Sequence, residues 1–236
     1  MSGSIRLFVR EPLFFGALIA LSPGQGHYLG TVMRCAVGDA VRVFNGLDGE
    51  WASRISAIRR DRGTLSVQIQ LRTQLPEPDL WLLFAPLRRH ATELVVQKAT
   101  ELGVSALFPV VTEHTNVSRI NIDRLTAIAV EAAEQSERLS IPELHAPQPL
   151  PALLADWPPD RLLYAAIERV DGPFLPSARG HPTALLIGPE GGLSETELDA
   201  LRSRPFVVCG TLGPRILRAE TAAVAGLVLL QAPASR

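Results

Sequence analysis

Leu185-Leu186-Ile187-Gly188-Pro189-Glu190-Gly191-Gly192-Leu193-Ser194 decides how this chain folds, and a second stretch of the same design follows it: Leu212-Gly213-Pro214-Arg215-Ile216-Leu217-Arg218-Ala219-Glu220-Thr221-Ala222. Each follows a short apolar run and leads into a helical pattern, so the chain twice makes a strand–loop–helix corner. In open α/β sheets, such corners at the carboxyl ends of strands are where small ligands bind. Gly188, Gly191 and Gly192 permit a tight turn and close approach of a ligand to backbone. Pro189 fixes one dihedral and removes a donor. Ser194-Glu195-Thr196-Glu197 is a capping box, which starts a helix there. Its free amides favour anionic groups. Two such loops, with Glu190, Arg215, Arg218 and Glu220 set among them, point to a functional site built largely from backbone.

Neither loop is a common nucleotide fingerprint. No G-x-G-x-x-G opens a helix and no G-x-x-x-x-G-K-[ST] is present, which disfavours a dinucleotide fold and a P-loop NTPase.

Outward from these loops, the pattern alternates strand and helix: strands at 80–85, 106–110, 162–166, 183–187 and 206–209, helices at 92–102, 121–138, 194–202 and 218–231. That alternation predicts a parallel sheet with helices on its faces. The proline-rich residues 145–160 read as a crossing segment. Upstream the pattern differs. Residues 5–9, 40–45, 50–58 and 64–71 read as strands, with hairpin signals at Asn45-Gly46-Leu47-Asp48-Gly49 and Asp61-Arg62-Gly63. Short strands at this spacing predict a small barrel. Gly26 to Cys35 reads as a short helix within it. The expected division is therefore a β domain over 1–73, an extended proline linker over 74–79 and an α/β domain over 80–236.

Composition narrows the function. Of 236 residues, 47% are hydrophobic and 20% charged, an ordinary globular balance. No uncharged apolar run is long enough to span a bilayer. The start, Met1-Ser2-Gly3-Ser4-Ile5-Arg6, lacks the basic region and apolar core of a signal peptide, so a cytoplasmic protein is expected. Cys35 and Cys209 read as free thiols, and the five histidines have no metal-ligand spacing, so no metal is expected. The net charge of −1 hides an asymmetry. Residues 1–72 carry nine arginines against five acids, a balance of +4; the remainder carries fourteen basic groups against nineteen acids, a balance of −5. A basic module beside an acidic one suits an RNA-docking domain next to a catalytic one.

The two loops together resemble those of the RsmE family, bacterial 16S ribosomal RNA uridine N3-methyltransferases of the SPOUT superfamily. The resemblance extends to Gln97-Lys98-Ala99-Thr100-Glu101-Leu102-Gly103-Val104, to Glu131-Ala132-Ala133-Glu134-Gln135-Ser136 with Arg138 and Ile141-Pro142-Glu143, and to His27-Tyr28-Leu29, Val32-Met33-Arg34, Gly38-Asp39 and Val43-Phe44-Asn45-Gly46. It thus covers nearly the whole chain in order. Three departures stand out: Arg88 where the family usually has lysine, His114 where arginine is common, and Glu137 in place of a frequent glycine.

The resemblance implies a PUA-like β-barrel followed by a SPOUT domain whose C-terminal chain forms a deep trefoil knot. It implies a homodimer and S-adenosylmethionine as methyl donor. The cofactor would be held by Ala166, Ile187, Gly188, Pro189, Gly191, Gly192, Leu212, Gly213, Ile216, Leu217 and Arg218, with Ile187, Leu212, Ile216 and Leu217 as the pocket floor. The substrate would be a uridine of 16S rRNA in the small subunit. Uracil N3 carries a proton and is a poor nucleophile while neutral. Arg215 is the expected cation beside the developing anion, and Glu190 the expected base. Arg6, Arg10, Arg34, Lys98 and Arg138 are the expected RNA contacts. Two other readings share the scaffold: a methyltransferase for a different RNA, and a non-catalytic RNA-binding or ribosome-assembly protein.

Overall fold

The computed structural model describes residues 5–116, 119–168, 173–178 and 180–233; Met1–Ser4, on which part of the reading of the chain's start rests, lie outside the described residues. The chain divides into two compact units, Met1–Pro76 with Ala133–Ile141, and Glu77–Ala132 with Pro142–Arg236.

The first unit is a five-stranded sheet of β1 (Arg6–Phe8), β2 (Leu18–Ala20), β3 (Ala40–Phe44), β4 (Glu50–Arg59) and β5 (Arg62–Arg72), in the order β1-β3-β4-β5-β2. Both hairpin signals connect antiparallel neighbours, β3 to β4 and β4 to β5, whereas β1 runs parallel to β3. All five strands supply one core, including Leu7, Ile19, Val43, Ile55 and Leu65, so the two edge strands bury side chains against the same centre. The expected helix at Gly26 to Cys35 begins and ends earlier. It is α1 (Pro23–His27), capped by Ser22 and Gln25, continued by one π-helical turn over Tyr28–Val32.

Ala133–Ile141 joins this unit because Ala133 and Leu139 pack on the buried Phe44. The long helix expected over 121–138 is α3 (Ile122–Gln135). It stops early because Glu137 takes a left-handed conformation, φ 59°, and the Arg138 amide closes back on the Ala133 carbonyl at 3.1 Å. That is the hydrogen-bond pattern of a Schellman stop.

The second unit is an all-parallel sheet of β6 (Leu80–Phe84), β7 (Ala106–Val111), β8 (Glu143–Leu144), β9 (Gln148–Pro149), β10 (Leu162–Ala166), β11 (Thr183–Ile187) and β12 (Val207–Gly210). The order is β12-β10-β11-β6-β7-β8, with β9 also on β7. Strand alternation sends side chains to both faces. Leu82, Phe84, Leu185 and Ile187 face a core covered by α2 (Arg89–Glu101), α3 and α6 (Ala219–Gln231). Leu83, Ala165, Ala184 and Leu186 face a second core covered by α4 (Leu150–Ala155) and α5 (Glu195–Arg202). Burial on both faces explains why these strands read as continuous apolar runs. The sequence pattern misses α4 because it lies in the proline-rich stretch; Pro151 sits in its first turn, where a missing amide costs no helical bond. α2 begins three residues before its expected start because Arg88, its cap position, makes no side-chain cap and leaves no start signal.

α6 lies close on the sheet at one point. A Cβ built at Gly226 would stand 2.7 Å from Leu185 Cδ2. Among the described residues no helix is long and apolar enough to cross a membrane.

Candidate functional site

The site is built at the carboxyl edge of the second sheet. Ala166 of β10 is in register with Ile187 of β11 on one side and Gly210 of β12 on the other. Phe84 of β6 continues the row beside Ile187. Three loops therefore leave adjacent strands at one level, and strand neighbours lie only ~4.8 Å apart.

The first loop is fixed by its own turn and by its neighbours. The Gly192 amide donates to the Pro189 carbonyl at 2.9 Å, and Gly192 has φ 73°, a conformation that glycine adopts without strain. The capping box forms as the sequence requires: Ser194 Oγ accepts from the Glu197 amide at 3.3 Å and Glu197 Oε2 accepts from the Ser194 amide at 2.9 Å. The other oxygen of Glu197 accepts from the Glu113 amide at 2.9 Å, which draws in the segment leaving β7. Next to it, His114 Nδ1 lies 3.2 Å from the Gly192 carbonyl oxygen. His114 also crowds Gly191, where a Cβ would stand 3.2 Å from its own.

The second loop starts with a tight turn in which Thr211 Oγ1 accepts from the Gly213 amide at 3.1 Å and Gly213 has φ 128°. Thr211 also pairs with the strap between β10 and β11: its amide donates to the Pro173 carbonyl, and its carbonyl accepts from the Leu175 amide. Gly210 allows that approach, since a Cβ there would stand 3.0 Å from the Pro173 oxygen. The amides of Ile216, Leu217 and Arg218 make no hydrogen bond among the described residues. α6 follows at once, with Arg218 as an extended cap residue.

The expected cofactor residues thus converge, with one difference. Ile187 is buried and Leu212 and Leu217 are half-buried, but Ile216 is 60% exposed, so it forms no part of a closed floor in this state. Glu190 and Arg215 are both exposed on these loops, and neither makes a hydrogen bond or ion pair among the described residues.

The expected RNA contacts divide. Arg10 and Arg34 are exposed, Arg34 with φ 55°. Lys98 is held by Glu101 at 2.8 Å, a helical pair on α2. Two expectations are corrected. Arg6 is only 7% exposed and its guanidinium is spent on protein: Nε donates to Glu50 at 2.6 Å, and Nη1 and Nη2 donate to the carbonyls of Ala133, Glu134 and Arg138. It caps the end of α3, where the helix leaves carbonyls without partners. Arg138 is buried too, with Nη2 on Ser140 Oγ. Burial leaves neither guanidinium a face for RNA, and that of Arg6 is spent on protein acceptors. Glu50 is buried between Arg6 and Arg72. Burial pushes its carboxyl up, but hydrogen bonds from Arg72 and Arg6 outweigh it and hold it below the ordinary range.

Sequence reasoning missed the residues that brace the loops. Glu168 lies against Gly192, where a Cβ would come within 3.3 Å of its Oε1, and Phe174 lies beside Gly213. They come from the β10–β11 strap, which has no motif; only the strand register brings it here. His114 was visible in the sequence only as a departure from a family pattern. Among the described residues no group of three or more His, Cys, Asp or Glu is placed to hold a metal.

Known proteins share this fold. Residues 73–231 match an RNA methyltransferase domain family, and residues 21–68 match an RNA methyltransferase PUA domain family. The chain is 32% identical over 227 residues to the ribosomal RNA small subunit methyltransferase E of Rickettsia conorii, covering 94% of this chain and 93% of that protein. It is 31% identical to the protein of the same name from Synechocystis, covering 96% and 77%. The solved ribosomal RNA small subunit methyltransferase E of Neisseria gonorrhoeae, bound to S-adenosylmethionine, superposes with a TM-score of 0.86 at 25% identity over 97% of each chain. A Legionella pneumophila structure containing S-adenosylmethionine gives 0.82 at 29% identity, again over 97% of each. With both of its domains matched in order and relatives aligned along nearly its whole length, the chain belongs to the ribosomal RNA small subunit methyltransferase E family.

Proposed function

We propose that this protein is an S-adenosylmethionine-dependent methyltransferase that modifies N3 of a uridine in the 16S rRNA of the small ribosomal subunit, working as a cytoplasmic homodimer. The observation that carries the reading is the row Ala166, Ile187 and Gly210, which delivers both glycine loops to one place.

The residues fit the cofactor. The amides of Ile216, Leu217 and Arg218 are available to the edge of a purine ring. Gly188, Gly191 and Gly192 add no side chains to the facing loop, and Pro189 is buried within it. Ile187, Leu212 and Leu217 give apolar contact, and closure of the exposed Ile216 over a bound adenosine would complete it. Ala166 and Gly213 border the same space. When bound, S-adenosylmethionine supplies an electrophilic methyl on a sulfonium.

The chain's own residues would manage charge and proton. Arg215 offers a permanent cation for the uracil oxygens as negative charge develops on the ring. Glu190, on the other glycine loop, would take the N3 proton. Among the described residues both side chains are free of protein partners, as groups awaiting a substrate would be. The trefoil knot belongs to this proposal. The strap that pairs with Thr211 is where the following chain would thread. α6 offers a surface for a second subunit, with Thr221 and Val228 exposed.

The test is a transfer assay. Small subunits lacking this methyl group are incubated with protein and S-adenosylmethionine, and the rRNA is digested for nucleoside mass spectrometry. New 3-methyluridine, lost in Arg215→Ala, supports the reading. Cofactor binding without a new methylated nucleoside redirects the search to other RNAs; no cofactor binding favours a non-catalytic role.

A further inference from the structure

A cavity of about 310 Å³ opens between the first turns of α2 and α3, lined by Leu87, Arg89, Thr92, Glu93, Arg119, Ile120, Asn121, Arg124 and Leu125. It lies entirely within the second unit. Leu87 is three residues beyond the end of β6, whose last residue pairs with Ile187, so the cavity opens from the same sheet edge as the glycine loops. The segment reaching it from β7 passes Gly191 and Gly192 through His114.

Its charge is unbalanced. Arg89, Arg119 and Arg124 line it against one carboxylate, Glu93. Glu93 is bonded by Arg124 through Nε and Nη2, and by Arg89 through Nε at 2.9 Å. Hydrogen bonds from Arg124, then Arg89, hold its carboxyl at about 2, so it stays ionised and fixes both guanidiniums. Among the described residues Arg89 keeps both Nη groups free of protein acceptors and Arg124 keeps Nη1 free. Arg119 makes no hydrogen bond or ion pair among the described residues. The amide-bearing first turns of two helices, thirteen and fourteen residues long, add to the same positive field. Fixed guanidinium forks with spare donors suit phosphate oxygens.

We infer that this cavity is a phosphodiester subsite that grips the backbone of the substrate RNA beside the target nucleotide. Arg119 is the docking cation, and Glu93 positions Arg89 and Arg124. The inference rests on the RNA-methyltransferase reading above and deepens it. A phosphate contact sets register without reading sequence.

Arg119→Ala, Arg119→Lys and the Arg89→Ala/Arg119→Ala double variant test it, since Arg119 has no partner to lose among the described residues. Binding to small subunits lacking the methyl group is measured across a salt series, alongside transfer kinetics and S-adenosylmethionine affinity. Arg119→Ala should flatten the log–log salt slope by roughly 0.7–0.9, the release expected for one phosphate contact. KM for subunits should rise several-fold, with kcat and cofactor affinity nearly unchanged. Arg119→Lys should keep the slope, because a point charge still neutralises a phosphate. An unchanged slope and KM in the double variant overturns the subsite. So does a fall in kcat alone, which would put Arg119 in the chemical step. Subunits that bind with an altered slope in Arg119→Ala but are never methylated by the wild type support the subsite while refuting the proposed reaction; subunits that do not bind at all refute both.

Discussion

His114 Nδ1 meets the carbonyl oxygen of Gly192 at 3.2 Å, joining the segment after β7 to the glycine loop after β11 across 78 residues of chain. The same side chain lies against Gly191. The first loop is therefore held by a partner outside its own motif.

Removing that partner should loosen the loop without unfolding the unit. A neutral hydrogen bond contributes about 1 kcal/mol, so His114→Ala should weaken S-adenosylmethionine binding roughly fivefold by titration calorimetry. Gly191→Ala should be more harmful in the wild type than in His114→Gly, because the added methyl meets His114 Cβ at 3.2 Å and only glycine removes that atom. Equal effects in both backgrounds would show that His114 does not restrain Gly191.

Glu137 carries a conformation better suited to glycine. A non-glycine residue in the left-handed region costs about 1–2 kcal/mol, and the Arg72 bond to this position goes to its backbone carbonyl, which any residue provides. Glu137→Gly should raise stability by about 1 kcal/mol, or roughly 2–4 °C in Tm, in a thermal scan. A lower Tm would mean that the Glu137 side chain has a stabilising role.

Glu50 is the carboxylate on which the buried Arg6 depends. Its folded pKa lies below the ordinary value, so its stabilisation is fully present above the unfolded pKa of about 4.3 and is lost as pH falls through the folded value. Acid unfolding of the wild type should steepen below about pH 4. Glu50→Gln should flatten that dependence and destabilise the protein at neutral pH by about 3–5 kcal/mol, because it strands a buried cation. Urea titrations at pH 7 and pH 3 measure both; an equal loss at the two values would contradict the linkage.

Gly226 sets how closely α6 approaches the sheet. Leu185 is fully buried and cannot withdraw from an added methyl 2.7 Å away. Gly226→Ala should cost about 1–3 kcal/mol despite alanine's better helix propensity, and Leu185→Val should recover part of it. A neutral or stabilising Gly226→Ala in chemical denaturation would show that the helix can shift outward freely.

Much of the second unit was legible in the chain. Apolar runs of five residues, glycine loops and the Ser194–Glu197 capping box are local features, and local pattern determines them. The strand order could not be read locally, because nothing in the residues of β10 says that β11 and β12 will flank it. Register also brought Glu168 and Phe174 to the glycine loops, from a strap without a motif.

The surface of the first unit shows the opposite case. Sequence gave Arg6, Arg10, Arg34 and Arg138 the same standing, since a charge pattern does not report depth. The fold separated them. Phe44, Ala133 and Leu139 pack together, and that packing carries the carbonyls at the end of α3 onto Arg6. An arginine becomes structural when acceptors from distant segments converge on it. By itself the sequence determined the element types, the two glycine corners and the family. Tertiary structure alone decided which charges remain available to a substrate, because burial and hydrogen-bond satisfaction depend on partners a hundred or more residues away.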